Sequence, residues 1–377
     1  MRIQNIKINN FESFHKKIFF ILSAILILIL FYGDSRHDYS FYSLTWESFA
    51  SNEDKVVYNG YGPIHLLLAY IYKIHYLAPK VLFCFSFIYL SYLVFKKIIT
   101  KNKNILLLYF YLTIPCNFLI ISCVFFYGLN DAFVTFFFVF SILFYLNQRF
   151  IISGIFISIA SLIKLYPILF VPHLLIMKNK INFRLFFTVI AFIFLFLIFF
   201  SFFFDYMLLL EPLSFGSNRG PKFASIFASL NYSFPNNQIV TFFIKYNSYV
   251  LILSVFLVYI FTFIKKTELF FSIILLNIVI LTIYKVGHTQ YYIPLMVFSS
   301  LLLTYEQKHL EIFKILLPLI LLLSLTTLGY SLTGGFDLAK KSSFPWILIR
   351  QNIGYIYFIV NISIMIRMLQ LSKKFYQ

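Results

Sequence analysis

An acidic cluster follows the first apolar run of the chain. The stretch GDSRHDYSFY, residues 33–42, contains Asp34 and Asp38 in a protein that has only 13 acidic residues. A carboxylate at a boundary between protein and lipid is partly desolvated, and such a carboxylate can serve as a general base. Asp38 lies four residues before Tyr42, so the two would share a face of a helix. We expect Asp38 to be the base; a solvated pair around Arg36 is the structural alternative.

Two polar corners interrupt the later apolar runs. In YGLNDAF, residues 127–133, Asp131 opens the next predicted helix, where an acid is also an ordinary cap. In SLIKLYPILFVP, Lys164 precedes Pro167, and the restriction on residues before proline ends the helix there. An ammonium at this corner suits the phosphate of a lipid-linked substrate. A lysine that snorkels to the interface is the alternative.

Two loops add further polar groups. The stretch SFGSNRGPKFASIF, residues 214–227, places Arg219 and Lys222 on either side of a Gly-Pro turn, where they could hold a phosphate or simply connect two spans. The stretch YKVGHTQYY, residues 284–292, mixes aromatic faces with hydrogen-bonding groups, as sugar sites do. Its candidate residues are Lys285, His288, Gln290 and Tyr291.

The elements that must position these residues are membrane helices. Of the 377 residues, 61% are hydrophobic and 12% are charged, whereas soluble domains carry about 25% charged residues. The net charge of +18 is concentrated in short connections between apolar runs. That distribution is typical of the positive-inside rule, and no basic stripe interleaved with aromatic residues predicts nucleic-acid binding. The three cysteines lie inside apolar runs and show neither metal-ligand spacing nor a disulfide framework.

The apolar runs predict an all-α polytopic membrane protein with about 10–13 transmembrane helices in a single domain, residues 1–377. The predicted spans are 17–33, 79–95, 105–126, 131–147, 150–163, 166–177, 185–204, 248–264, 268–284, 291–304, 312–330 and 351–367. This even number puts both termini on one side, and the charge bias makes that side the cytoplasm. The long connections, 34–78 and 205–247, are then extracytoplasmic. Residues 63–76 are too short to span and predict a helix lying in the interface.

In order, the motifs DYSFY, YNGYGPIHLLL, GLND, SLIKLYPILFVP and KVGHTQYY resemble those of the GT-C superfamily of membrane glycosyltransferases. The resemblance is to mannosyltransferases that use polyprenyl- or dolichyl-phosphate mannose, namely mannosyltransferase I of glycosylphosphatidylinositol assembly and bacterial α-mannosyltransferases. It covers residues 30–295 and fades after about residue 300, so it says little about the C-terminal helices, 300–377.

The resemblance implies roles for the matching residues. Asp38 matches the acidic residue of the first outer loop, followed by the aromatic Tyr42, and Asp34 becomes a supporting acid. Asp131 matches the acid of the Gly/Asn/Asp turn. The proposed donor-phosphate ligands are Lys164, Arg219, Lys222 and Lys285. The proposed sugar or acceptor ligands are His288, Gln290 and Tyr291. The first loop lacks the adjacent Asp-x-Asp of the eukaryotic enzymes, so no cofactor is expected with certainty and a divalent metal stays open.

The activity implied is inverting transfer of a hexose, mannose first, from a polyprenyl-phosphate sugar to a lipid-linked or glycan acceptor. It would take place at the outer face of the bacterial inner (cell) membrane, and membrane lipids are a further expected partner, whereas nucleic acid is not. An O-antigen-type polymerase or a lipid-linked oligosaccharide flippase is the alternative. A flippase should carry charges within its spans, whereas here they lie mostly at span ends. A polymerase would rely on large outer loops rich in arginine, of which this chain has few.

Overall fold

The computed structural model describes residues 2–33, 38–51, 56, 60–101, 103–177, 180–305, 307–332 and 344–376. Nearly all of these residues are helical. The α-helices are α1 (Arg2–Tyr32), α2 (Asp38–Ala50), α3 (Pro63–Ile74), α4 (Ala78–Ile99), α5 (Asn104–Thr113), α6 (Phe118–Ile120), α7 (Asp131–Leu146), α8 (Phe150–Ile163), α9 (Val171–Leu175), α10 (Phe183–Phe203), α11 (Met207–Asn218), α12 (Ile226–Ser233), α13 (Gln238–Lys245), α14 (Asn247–Ile264), α15 (Leu269–Ile283), α16 (Ile293–Leu302), α17 (Gln307–Leu332) and α18 (Phe344–Leu371).

Short irregular elements join these helices. A π-helix runs over Ile121–Phe126, and 3-10 helices run over Tyr166–Phe170, Thr289–Tyr292 and Ser372–Phe375. The strands have two residues each: β1 (Ile176–Met177) pairs antiparallel with β2 (Lys180–Ile181), and β3 (Lys222–Phe223) pairs parallel with β4 (Val286–Gly287).

Seven helical segments of the described chain are long and apolar enough to cross a membrane: Phe11–Tyr32, Ala78–Ile99, Asn104–Phe126, Phe183–Phe203, Asn247–Ile264, Gln307–Gly329 and Gln351–Phe375. Helices satisfy their backbone hydrogen bonds internally, as a lipid environment requires. On α10, Phe187, Phe194 and Phe202 are exposed, which fits a surface that meets lipid rather than water. The prediction of an all-helical polytopic membrane protein is confirmed.

Shorter helices pack inside this framework. Helix α7 contacts α8, α4 and α16, and α15 contacts α14 and α18. Along α15 almost every side chain from Phe270 to Val279 is buried, as expected for a helix that is apolar on all sides. At 10–17 residues, helices such as α7, α8 and α15 are short for a full crossing unless protein surrounds them.

The predicted span 105–126 is interrupted. Pro115 cannot continue a helix, and Ile114 before it leaves the helical region at φ −112° and ψ −82°. The side chain of Asn117 then caps the restart: its oxygen accepts from the amide of Leu119, and its NH2 donates to the carbonyl of Ile320 on α17. The break is therefore held by packing, and the chain continues through the π-helix to the turn before α7.

Candidate functional site

A buried ion pair joins two of the predicted corners. Asp131 is the first residue of α7, and Lys164 directly follows the C-terminal end of α8 in an extended conformation. Lys164 Nζ lies 2.7 Å from Asp131 Oδ1, and the exposed fractions of the two side chains are 12% and 0%. The same ammonium lies 4.6 Å from the ring centre of Tyr291 and 5.7 Å from that of Tyr61. Lys164 is therefore held by a carboxylate and two aromatic faces.

Tyr61 reaches this position because its segment packs tightly on the end of α8. The amide of Gly62 donates to the carbonyl of Ile163 at 3.0 Å. A Cβ atom on Gly62 would lie 2.1 Å from the carbonyl oxygen of Leu162, so only glycine allows this approach. Helix α3 begins at the next residue, Pro63, whose fixed φ suits the first turn of a helix.

A chain of buried polar side chains ties α2 and α3 to the turn before Asp131. The hydroxyl of Tyr42 donates to Asn130 Oδ1 at 3.1 Å, and Asn130 Nδ2 lies 3.2 Å from His65 Nδ1. Trp46 Nε1 donates to the carbonyl of His65 at 2.8 Å. Burial, and secondarily the charge of Lys164, lower the pKa of His65 to about 3. The imidazole is therefore neutral, and its Nδ1 accepts the hydrogen bond that Asn130 Nδ2 donates.

The second long loop is aligned with the late motif by backbone pairing. The amide of Lys222 donates to the carbonyl of Lys285 at 3.0 Å, and the amide of Ala224 donates to that of Gly287 at 2.9 Å. A Cβ atom on Gly287 would lie 2.2 Å from the amide nitrogen of Ser225, so the pairing requires glycine there. Lys222 pairs with Val286, which is 64 residues later in the sequence. The two loops therefore form one continuous backbone surface, here called the wall.

Asn247 fixes the other side of that wall. Its Nδ2 donates to the carbonyl of Ile283 at 2.8 Å, and its Oδ1 accepts from the amide of Lys285 at 2.9 Å. The start of α14 is in this way tied to the end of α15. The backbone of the late motif is consequently fixed on both sides.

These elements enclose a cavity of about 250 Å³. Its polar and aromatic lining includes Tyr61, Lys164, Tyr166, Arg219, Asn277, Tyr284, Tyr291 and Tyr292. Its apolar lining includes Leu169, Phe170, Leu251, Ile280 and Leu281. The lining therefore combines cations and aromatic faces with hydrocarbon, which suits an amphipathic anionic ligand.

The predicted residues divide by position. Lys164, Arg219 and Tyr291 line the cavity, and Asp131 lies behind Lys164 as its ion-pair partner. His288 lies one layer further out, where its Nε2 is 3.3 Å from a terminal guanidinium nitrogen of Arg219. The hydroxyl of Tyr42 contacts the turn next to Asp131.

Three further predicted residues also lie outside the cavity lining. Lys222 contributes its backbone to the strand pair, while its side chain is exposed. Lys285 is buried, and this burial lowers its pKa. Gln290 is buried as well. Their proposed roles as substrate ligands stay predictions.

The acidic cluster of the first loop lies at the edge of what the structure describes. Asp38 is the first residue of α2, but its side chain, and all of Asp34, lie outside the described residues. In the part of the chain that is described, no three histidine, cysteine, aspartate or glutamate side chains come close enough to hold a metal ion. Whether the protein requires a divalent metal therefore stays open, as it was from the sequence.

Several residues of the site were not singled out individually as candidates from the sequence. His65 lies in an apolar helix, where a histidine is more often a core residue. Tyr61 and Tyr284 are two of 28 tyrosines, and Asn247 opens an apolar span. Tyr61 and His65 belong to the motif YNGYGPIHLLL and Tyr284 to YKVGHTQYY, and the glycine pattern of the first motif indicates a close backbone approach without naming its partner.

Comparison with protein families now decides the class of protein. The model of glycosyltransferase family 87 matches residues 59–283, more than half of the chain. The protein belongs to glycosyltransferase family 87. Family 87 is a GT-C-type family of membrane glycosyltransferases, so the predicted superfamily is confirmed. No curated protein sequence matches the chain.

The family 87 match includes most of the site. Tyr61, Asp131, Lys164 and Arg219 lie within residues 59–283, whereas Asp38 precedes the matched range and Tyr291 follows it. The family supports a glycosyl transfer and an integral membrane location. Mannose and the polyprenyl-phosphate donor are finer statements that the match does not reach.

Proposed function

We propose that this family 87 protein transfers a hexose, mannose in the first instance, from a polyprenyl-phosphate sugar to an acceptor hydroxyl with inversion at the anomeric carbon. The observation that carries the proposal is the cavity, whose lining combines Lys164 and Arg219 with aromatic faces and hydrocarbon side chains. A polyprenyl-phosphate sugar matches such a lining, because one molecule carries an anion for the cations, a sugar ring for the aromatic faces and a hydrocarbon chain for the apolar side chains. The acceptor is a lipid-linked or glycan hydroxyl.

The two cations would serve the leaving group. As the bond between the anomeric carbon and the phosphate oxygen breaks, its electron pair moves to that oxygen and negative charge develops on the phosphate. Preorganised cations in a site with little water stabilise such charge strongly. Lys164 is preorganised by Asp131, and the planar guanidinium of Arg219 can bind two phosphate oxygens at once.

The tyrosine rings would position the sugar. The rings of Tyr61 and Tyr291 both lie close to the Lys164 ammonium, and Tyr284 lies close to Tyr291 with ring centres 6.2 Å apart. Aromatic faces pack against the C–H surface of a sugar ring, and phenol hydroxyls bond its hydroxyls. This arrangement supports a hexose next to the phosphate site.

Asp38 is the proposed base that removes the proton of the acceptor hydroxyl while its oxygen attacks the anomeric carbon. Support comes from the helix that it opens. Tyr42, one turn further along α2, bonds to Asn130, the residue before Asp131. The start of α2 is thereby anchored to the turn that leads to the Lys164 pair.

The positions of basic residues support an assignment of the membrane side that the cavity faces. The end of the bundle that carries Asp131 and Lys164 is opposite to the end where α14 finishes in Lys265 and Lys266. Basic residues favour the cytoplasmic side, so we propose that the cavity faces outward and both termini face the cytoplasm. The membrane would be the bacterial inner (cell) membrane.

A polymerase or a flippase is less well supported. A flippase needs charged groups along a path through the bilayer. In the described residues the buried ion pair of Asp131 with Lys164 lies at helix ends, and so does the partly exposed cluster of Glu268 with Lys308 and His309. No described feature favours transport over transfer.

The donor class can be tested with purified protein in detergent. The protein would be incubated with radiolabelled polyprenyl-phosphate mannose, polyprenyl-phosphate glucose or a nucleotide sugar, each with a membrane lipid extract as acceptor. We expect labelled lipid product from a polyprenyl-phosphate sugar and none from the nucleotide sugar. Product from glucose but not from mannose would correct the sugar alone. No product from any polyprenyl-phosphate sugar would overturn the proposal.

A further inference from the structure

A fully buried lysine at the start of α4 has no part in the transfer reaction as proposed above. Lys80 is 0% exposed and is the third residue of its helix. An ammonium removed from water costs free energy unless other charges and hydrogen bonds compensate it. The first turn of a helix also carries the positive end of the helix dipole, which disfavours a cation. Helix formation and burial therefore both disfavour lysine here, and its presence calls for another role.

Glycine makes the space that this lysine fills. Gly128, in the turn before α7, has a left-handed φ of 65°, and a Cβ atom on it would lie 2.4 Å from Lys80 Cγ. Glycine thus supplies both the backbone conformation and the room for the side chain. At the end of that side chain, Nζ donates to the carbonyl of Phe126 at 2.7 Å. The ammonium is therefore held between α4 and the turn that leads to Asp131.

The chain on each side of the acidic cluster reaches the same place. A Cβ atom on Gly33 would lie 2.5 Å from the Phe126 carbonyl oxygen that accepts from Lys80. The hydroxyl of Tyr39 donates to the carbonyl of Tyr76, shortly before α4, at 2.6 Å. Burial raises the pKa of Tyr39, and a hydrogen bond from the backbone amide of Lys80 opposes part of that rise. Gly33 thus lies at the carbonyl that binds the ammonium, and Tyr39 lies at the backbone of the lysine.

The first loop brings negative charge to this lysine. The described titratable groups around it include phenols and a thiol, namely Tyr39, Tyr76, Tyr127 and Cys84. Phenols and thiols carry little charge at neutral pH. Asp34 directly follows Gly33 in the sequence, and Asp38 directly precedes Tyr39. Both carboxylates therefore belong to a loop whose two described flanks contact the surroundings of Lys80.

We propose that Lys80 is a positioning residue for the transfer reaction: its buried ammonium is the counter-charge of the first loop and keeps Asp34 and Asp38 ionised. The inference rests on the proposed function, because Asp38 can accept the proton of the acceptor hydroxyl only as a carboxylate. Desolvation at a lipid boundary favours the protonated form, whereas a nearby cation lowers the pKa of a carboxyl group by about 1–3 units. Lys80 does not line the cavity, so it acts through the loop.

The first test is the pH dependence of kcat/KM for sugar transfer, because its acidic limb reports the ionisation of the base in the free enzyme. Lys80→Met fills a similar space without the charge. The matched control is Lys73→Met, because Lys73 also donates to a backbone carbonyl, that of Ala50 at 2.8 Å, but is exposed.

We expect the acidic limb of Lys80→Met to move up by about 1–3 pH units, with transfer recovering as the pH is raised. The limb of Lys73→Met should stay at the wild-type position. A lysine that serves the fold alone would lower transfer to the same extent at every pH. An unmoved limb in Lys80→Met would therefore overturn the proposal.

The second test needs no activity. Thermal unfolding, followed by the fluorescence of the buried Trp46, would be compared for wild type, Lys80→Met, the loop variant Asp34→Asn/Asp38→Asn, and the combined variant. If the ammonium compensates the loop, the combined variant should lose less thermal stability than the two separate losses together. It should also fold where Lys80→Met alone does not. Additive losses would overturn the proposal.

The two tests distinguish a failure of this inference from a failure of the proposed function. If wild type transfers no sugar from any polyprenyl-phosphate donor at any pH, the proposed function is wrong, and the assignment of Lys80 to that reaction is wrong with it. If wild type transfers sugar but the limb stays in place or the losses add, only the role of Lys80 is wrong.

Discussion

The ion pair of Asp131 and Lys164 has both a structural and a proposed chemical role, so its variants should change both stability and activity. Asp131 is fully buried and Lys164 is 12% exposed, with 2.7 Å between the charged atoms. Removing one partner of a buried pair costs about 3–5 kcal/mol, since it leaves the other charge uncompensated. Lys164→Met, which strands the fully buried carboxylate, should lie near the upper end of that range.

Asp131→Asn should lower the free energy of unfolding by less, about 3 kcal/mol. The ammonium of Lys164, which loses its carboxylate partner, is still partly exposed to solvent and still contacts the ring of Tyr291 at 4.6 Å. The double variant should return to within about 1 kcal/mol of wild type, because no buried charge is left uncompensated. The free energy of unfolding would be measured by titration with denaturing detergent, and the fluorescence of the buried Trp46 would report the transition.

Measurements of sugar transfer distinguish the structural role of Lys164 from its proposed role at the leaving phosphate. If Lys164 stabilises the leaving phosphate, the double variant should fold like wild type and still fail to transfer sugar. Recovery of transfer in the double variant would show that Lys164 serves the fold alone. Single variants that each stay within about 1 kcal/mol of wild type would refute the reasoning about the buried pair.

Three further predictions follow from the site. Gly287→Ala should separate the strand pair and strongly reduce transfer, whereas Gly220→Ala, which meets no atom within 4 Å, should leave it unchanged; transfer rates of the two variants decide this. Arg219→Gln should raise the KM for the donor about tenfold through loss of a charge-assisted hydrogen bond, while the exposed Lys222→Gln changes it little. In the folded protein the pKa of His65 is about 3, below the ordinary value of 6.5, so the unfolded state binds more protons and stability should fall as pH drops from about 6.5 towards about 3. His65→Asn should flatten that fall in the thermal midpoint; an unchanged slope would contradict it.

The helices could be predicted from the sequence because apolar runs bounded by basic or polar residues leave little choice in lipid. The span predicted at 150–163 is α8 with the same bounds, and the one at 185–204 is α10 shifted by two residues at its start. The break around Pro115 was missed, because its cap depends on Asn117 reaching α17, a contact across 203 residues.

The site was predictable in its residue types but not in its pairings. Asp131 and Lys164 were singled out separately, since nothing in the local pattern joins residues 33 positions apart. The two-residue strands have no periodicity to read, so the alignment of Lys222 with Val286 could only come from the fold. His65 shows the same limit: its role depends on Asn130, and its sequence context is that of a core residue.

The central claim, that Asp38 is the base of an inverting transfer from a polyprenyl-phosphate sugar, is tested most directly by comparing two isosteric variants of the first loop. Asp38→Asn and Asp34→Asn would be purified, checked for wild-type thermal unfolding, and assayed with radiolabelled polyprenyl-phosphate mannose and membrane lipid extract. Loss of a general base lowers the rate by about 10²–10⁴-fold. We predict that loss for Asp38→Asn, with Asp34→Asn retaining transfer. A fully active Asp38→Asn beside an inactive Asp34→Asn would contradict the account.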